Sequence, residues 1–223
     1  MKAHLKEVTD RINNTDSAIP AQRAAFKNGY SFSKEIFETQ LPKWDYIWKH
    51  SNNFRAQIHA YFFLEQYVKR KELHAQVWAT SVSWQEEVND WPLCDSLSKL
   101  NTKVLETYPA EVYKQLEAWN KHEDLWKRRQ SVVSLLYYSR TKKVYIPFKK
   151  IEALVAPLLG DKEYYVQKGV GWTLREMYNV YPTETLSFLQ QHIKEISAIA
   201  FTISIEKLDE SKKDQLKQLR KGR

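Results

Sequence analysis

Four aromatic residues, Phe54, Trp91, Trp126 and Tyr165, stand 37, 35 and 39 residues apart, and each opens a stretch of helical hydrophobic spacing. A period of that length holds two short helices and their turns, a unit that cannot bury its apolar face alone and must stack on its neighbours. The chain is therefore expected to be all-α, a HEAT- or armadillo-like α-α superhelical solenoid with a concave face. Apolar residues recur at three- and four-residue steps as Phe54, Ile58, Tyr61, Phe62 and Leu64 in 53–68. The same pattern gives Leu125, Val132, Val133, Leu135 and Leu136 in 124–139, and Tyr165, Val166, Val170, Trp172, Leu174, Met177 and Tyr178 in 162–179. Breaks fall at Ser51-Asn52-Asn53, Tyr108-Pro109, Gly160-Asp161 and Tyr181-Pro182. Pro109 and Pro182 suit a first helical turn, where the missing N–H has no intrahelical partner to lose, and Glu111 and Glu184 follow near the favourable end of the dipole. Phe201–Ile205 alternates like a strand, but five residues do not outweigh the helical context. One domain, 1–223, is expected, with an N-terminal cap over 1–45, repeats over 46–195 and a C-terminal cap and basic tail over 196–223.

Composition removes several classes of function. Five Gly and seven Pro in 223 residues are too few for the frequent turns of a β-sandwich. Neither GxGxxG nor GxxxxGK[ST] occurs, so dinucleotide and P-loop chemistry have no support. The six His residues, at 4, 50, 59, 74, 122 and 192, form no HxxxH pair, and neither metal nor cofactor is expected. A single cysteine, Cys94, suits a reducing cytoplasm and reads as a packed residue, since no histidine is fixed beside it by spacing. The N-terminal stretch MKAHLKEVTDRINNTD lacks an apolar core and no run approaches 18 apolar residues, so a cytoplasmic location without a membrane segment is expected. The net charge of +8 and pI near 9.3 favour an acidic partner, nucleic acid being the commonest. Part of that surplus lies in Lys212, Lys213, Lys217, Arg220, Lys221 and Arg223, which also fits a solvated tail.

Residues at matching offsets from the four markers identify what the repeats would present together. Three positions on stand Gln57, Cys94, Arg129 and Lys168; seven on, Tyr61, Ser98, Val133 and Trp172; ten on, Leu64, Asn101, Leu136 and Arg175. With Trp91, Asp95 and Trp126, this set holds three indoles, two arginines and one carboxylate. Indole faces and guanidinium groups suit bases and phosphates. Taken singly, Trp126 and Trp172 also fit a helix core, Asp95 a surface carboxylate, and Arg128 and Arg129 a solvated face.

Three segments carry a resemblance: Asn89-Asp90-Trp91-Pro92-Leu93-Cys94-Asp95-Ser96-Leu97, Leu125-Trp126-Lys127-Arg128-Arg129, and Tyr165-Val166-Gln167-Lys168-Gly169-Val170-Gly171-Trp172-Thr173-Leu174-Arg175-Glu176. In this order and spacing the chain resembles the AlkD-type DNA alkylation repair glycosylases, a bacterial and archaeal family of HEAT-like repeat proteins, over roughly residues 50–195. The resemblance implies excision of cationic N3- or N7-alkylated purines from double-stranded DNA by N-glycosidic hydrolysis, with no cofactor and no obligate protein partner. It implies Asp95 as the catalytic carboxylate, Trp91 and Trp172 as the lesion-binding aromatics, and Arg129 and Arg175 as DNA-binding arginines. Lys127, Arg128 and Lys168 are expected as lesser DNA contacts and Trp126 as a further cleft aromatic. It also implies a lesion held without extrusion into a deep pocket, unlike the usual base-flipping enzymes. Two features depart from the family's pattern: Pro92 directly after Trp91, and Phe32-Ser33-Lys34 in an N-terminal third that matches poorly.

The residue types fit that chemistry on their own terms. Alkylation makes the purine a good leaving group, so the residual demand is to stabilise positive charge developing on the sugar, which a carboxylate meets. Indole faces attract both the cationic base and the sugar, by roughly 0.5–2 kcal/mol each. Arginines on flanking phosphates add salt-dependent affinity without reading sequence. The alternative reading is a non-enzymatic solenoid that binds DNA or a protein along the same face.

Overall fold

A computed structural model describes residues 1–222; Arg223, the last of the basic run, lies outside the described residues. The described residues form thirteen α-helices and four short 3-10 turns, with no strand. They divide into two compact units, Met1–Leu100 and Asn101 to the C-terminus, and the boundary falls inside one helix.

The first unit contains α1 (Lys2–Asn13), α2 (Ile19–Lys27), α3 (Phe37–His50), α4 (Phe54–Tyr67), α5 (His74–Trp84) and the opening turns of α6 (Trp91–Val104). Its core is aromatic: Phe32, Trp44, Trp48, Phe62, Phe63 and Trp84 are fully buried. Trp48 and Trp84 stack at 4.4 Å, and each indole N–H finds an acceptor, the Trp84 carbonyl and the Asp45 carboxylate respectively. Burying an indole without a partner for its N–H would forfeit part of the gain from its large apolar surface. The stripe over 53–68 is α4, whose N-cap Asn53 accepts the Arg55 N–H.

The second unit holds the rest of α6, then α7 (Pro109–Asn120), α8 (Leu125–Val133), α9 (Phe148–Val155), α10 (Tyr164–Val180), α11 (Pro182–Gln191), α12 (Ala198–Ser204) and α13 (Glu210–Lys221). Pro109 and Pro182 each stand first in their helix. The segment with strand-like alternation is α12, and Ser197 caps it through its hydroxyl. α10 packs against α8, α11 and α12. A Cβ on Gly171 would lie 2.7 Å from the Ala200 carbonyl oxygen of α12, so only glycine permits this approach.

One helix ends earlier than its periodicity suggests. The stripe over 124–139 predicts a single helix, but α8 stops at Val133, and Leu135 and Leu136 are buried from a turn segment instead. Tyr138 lies in the left-handed region at φ 45°. The cause is non-local: the buried carboxylate of Glu176 on α10 accepts both the backbone N–H of Ser139 at 2.8 Å and its hydroxyl at 2.6 Å. A charge-assisted pair of hydrogen bonds competes with one further helical turn.

Candidate functional site

On α6, Asp90 sets the helix start. Its carboxylate accepts the Leu93 N–H at 3.0 Å, and partial burial raises its affinity for a proton while that hydrogen bond opposes the shift. Pro92 falls in the first turn, where it costs no hydrogen bond. Trp91 and Asp95 are four residues apart in this helix and so share a face. Trp91 is 50% exposed, while Trp44, Trp48 and Trp84 are fully buried. Asp95 is half-buried, one helical turn further on, while Leu93 and Leu97 fill the opposite side.

The second unit gathers the remaining expected residues on α8 and α10. Asp124 caps α8 by accepting the Trp126 N–H at 2.7 Å, and the Trp126 ring meets Tyr165 at 5.1 Å. Lys127 is 7% exposed, with Nζ 3.5 Å from His122 Nε2. Arg128 is committed within the fold: Nε and Nη2 reach the Asp161 carboxylate, while Nη1 donates to the carbonyls of His122 and Glu123. Its guanidinium ties the loop before α8 to the loop before α10. Arg129 is 6% exposed, and its Nη1 donates to the Tyr165 carbonyl at 2.7 Å. The Arg129 stem lies where a Cβ on Gly169 would be, 3.1 Å from Cγ.

Lys168, Trp172, Arg175 and Asn179 recur at helical spacing and line one face of α10, all half-buried. Lys168 Nζ stands 5.4 Å from the centre of the Tyr164 ring. Arg175 Nη1 pairs with Glu206 at 2.7 Å. Trp172 is walled by two tyrosines that the hydrophobic pattern did not single out: Tyr137 at 5.3 Å and Tyr138 at 6.0 Å, the latter nearly perpendicular. The Tyr137-Tyr138 doublet ends the 124–139 stripe, and that position was its only signal in the sequence. Trp172, Arg175 and Lys168 therefore form an aromatic platform bordered by cations. Asp95 and Trp91 belong to the other unit, on α6.

Among the described residues no group of three or more His, Cys, Asp or Glu side chains is placed to hold a metal ion, and no helix is long and apolar enough to cross a membrane.

A family model described as "DNA alkylation repair enzyme" matches residues 3–208. Among solved structures, a predicted DNA alkylation repair enzyme from Enterococcus faecalis superposes with a TM-score of 0.68 at 17% identity, covering 86% of this chain and 87% of that one. AlkD2 from Streptococcus mutans gives 0.65 at 16% identity, over 93% and 99% of the two chains. The protein smu.31 from Streptococcus mutans UA159 gives 0.63 at 17% identity, over 92% and 100%. At these identities the likeness is one of fold. No curated protein sequence matches the chain.

Proposed function

The chain belongs to the DNA alkylation repair enzyme family, and from that premise we propose that it is a monofunctional DNA glycosylase that excises cationic N3- and N7-alkylated purines. The observation that carries this reading is the platform on α10: a half-buried Trp172 walled by Tyr137 and Tyr138, with Lys168 and Arg175 on the same helix face. The indole and phenol faces attract a cationic base, while the flanking cations engage phosphate.

In this mechanism the N-glycosidic bond breaks with its electron pair moving to the alkylated base, which leaves uncharged. The deoxyribose is left as an oxocarbenium-like cation. The Asp95 carboxylate stabilises that charge, Trp91 holds the lesion from the same face of α6, and water adds to the anomeric carbon with loss of a proton. Arg129 and Arg175 contribute contacts to the DNA backbone, with Lys127, Lys168 and Trp126 in supporting roles; Arg128, expected from the sequence among the DNA contacts, instead spends its guanidinium on Asp161 and the carbonyls of His122 and Glu123. Because leaving-group activation resides in the lesion, the reaction as proposed needs neither a metal nor an organic cofactor.

The test is release of free base from double-stranded DNA. Methylated duplex should yield 7-methylguanine or 3-methyladenine, while a duplex carrying uracil, a neutral base, should yield nothing. Duplex binding without any base release would favour the non-enzymatic reading.

A further inference from the structure

Beside Trp172 the second unit carries a cavity of about 280 Å³, whose lining includes Tyr138, Arg140, Arg175, Glu176, Asn179 and Lys207. We propose that this cavity is a binding pocket for one backbone phosphodiester, with Arg140 and Lys207 as its new ligands and Tyr138 as its lip. The proposal rests on the DNA reading above and deepens it.

The charges support a monoanion. Three cations face two carboxylates, and each carboxylate has a defined role. Glu176 directs Oε2 to the Ser139 N–H and hydroxyl, so it builds the wall. Glu206 meets Arg175 in a pair open to solvent, and such pairs exchange partners at little cost. Arg140 has only a 3.4 Å contact with the Asn179 amide oxygen, and Lys207 has no partner among the described residues. The set carries one unit of surplus positive charge, which matches the single negative charge of a phosphodiester and falls short of a phosphate dianion. Guanidinium and ammonium donors together suit phosphate oxygens, the first by planar paired donors and the second as a point charge.

The wall is built at some cost. A tyrosine at φ 45° occupies a left-handed conformation that side chains bearing a Cβ disfavour. It is held there by the Glu176 clamp, by Thr141 Oγ1 donating to the Tyr138 carbonyl at 2.9 Å, and by Tyr145 OH donating to the Ser139 carbonyl at 2.9 Å. The result is a 56% exposed ring that lines the cavity on one side and meets Trp172 on the other. A base on the Trp172 platform and a phosphate in the cavity would then lie on either side of the Tyr138 ring.

The test is binding of a duplex whose single central tetrahydrofuran abasic analogue fixes the register, scanned with single methylphosphonates that remove one phosphate charge at a time. At one position the substitution should weaken the wild type several-fold but leave the Arg140→Ala/Lys207→Ala variant unchanged. The same variant should lower the slope of log K against log salt by about 0.9, the contribution of one phosphate. Removing two exposed lysines, Lys114 on α7 and Lys121 just after it, as Lys114→Ala/Lys121→Ala, should leave the slope unaltered. The proposal fails if no position shows the coupling, if the control pair changes the slope equally, or if the wild type does not bind duplex. It also fails if inorganic phosphate raises the melting temperature of the wild type alone while the duplex slope is the same in both proteins, because the pocket would then take the free anion. Base release is not part of this readout, so loss of the glycosylase reading and loss of the pocket are separate results.

Discussion

The stem of Arg129 crosses α10 where Gly169 has no side chain: a Cβ there would stand 3.1 Å from Arg129 Cγ and 3.3 Å from Nη1. Two residues on, Gly171 makes the equivalent space for the backbone of α12, at 2.7 Å from the Ala200 carbonyl. Two glycines inside one helix each forgo about 1 kcal/mol of helix propensity relative to alanine, and the close approaches explain why they are present.

The two glycines should therefore respond differently to alanine. At Gly171 the obstacle is backbone, so Gly171→Ala should destabilise by about 1–3 kcal/mol as α10 and α12 separate. At Gly169 the obstacles are side chains, the Arg129 stem and a Val133 methyl at 3.2 Å, so Gly169→Ala should cost less stability than Gly171→Ala and weaken duplex binding by displacing Arg129. Urea midpoints and duplex affinity for both variants check this, and equal effects on stability would contradict it.

Arg128 and Arg175 should also separate. Arg128 joins Asp161 and two carbonyls, so Arg128→Ala should cost about 1–3 kcal/mol by leaving a largely buried carboxylate without its partner. Arg175→Ala breaks a pair open to solvent and should cost under about 1 kcal/mol while reducing duplex affinity. Parallel denaturation and binding measurements would show the crossing pattern.

His59 predicts acid sensitivity in the first unit. Gln22 donates its amide N–H groups to the carbonyls of Thr15 and Asp16, which turns Oε1 towards His59 Nε2; Nδ1 then accepts from Tyr30 OH. The imidazole is thus held neutral, and burial, reinforced by the Arg11 charge, lowers its pKa to about 4. Because the folded value lies below the unfolded 6.5, the unfolded chain takes up a proton first as the pH falls. Stability should decline between pH 6.5 and 4, by at most roughly 3 kcal/mol, and this group adds nothing further below that range. An NMR titration of the His59 ring should give a midpoint near 4; one near 6.5 would contradict the buried relay.

Lys142 acts at the alkaline end. Its ammonium is buried, donating to the carbonyl and hydroxyl of Thr102 at 2.9 and 3.0 Å, and burial lowers its pKa to about 8 against the opposing effect of Glu106. The folded chain bears the cost of a buried charge below pH 8 and loses it as the pH rises, while the unfolded chain stays protonated to about 10.5. Stability contributed by this site should therefore rise from pH 8 towards 10.5. Urea midpoints at pH 7.5 and 9.5 should show a gain in the wild type that Lys142→Met lacks.

Local features were legible in the sequence. Pro109, Pro182 and the stripe beginning at Phe54 locate helix starts because a first-turn proline and a three-to-four spacing act within a few residues. What was not legible depends on partners far along the chain. Leu135 and Leu136 continue a helical pattern, yet Glu176, 37 residues beyond Ser139, ends the helix before them. Arg128 and Asp161, 33 residues apart, look like surface charges until the fold joins them. The tyrosines beside Trp172 likewise escape periodicity, because one of them owes its place to a left-handed backbone.

The most direct measurement is single-turnover release of 7-methylguanine from methylated duplex by the wild type and by Asp95→Asn, with duplex affinity measured alongside. Excision by the wild type, a loss of at least 10²-fold in the variant, and affinities within a few-fold of each other are the expected results. Equal excision by both proteins would remove Asp95 from the mechanism, and no excision by either would contradict the glycosylase assignment itself.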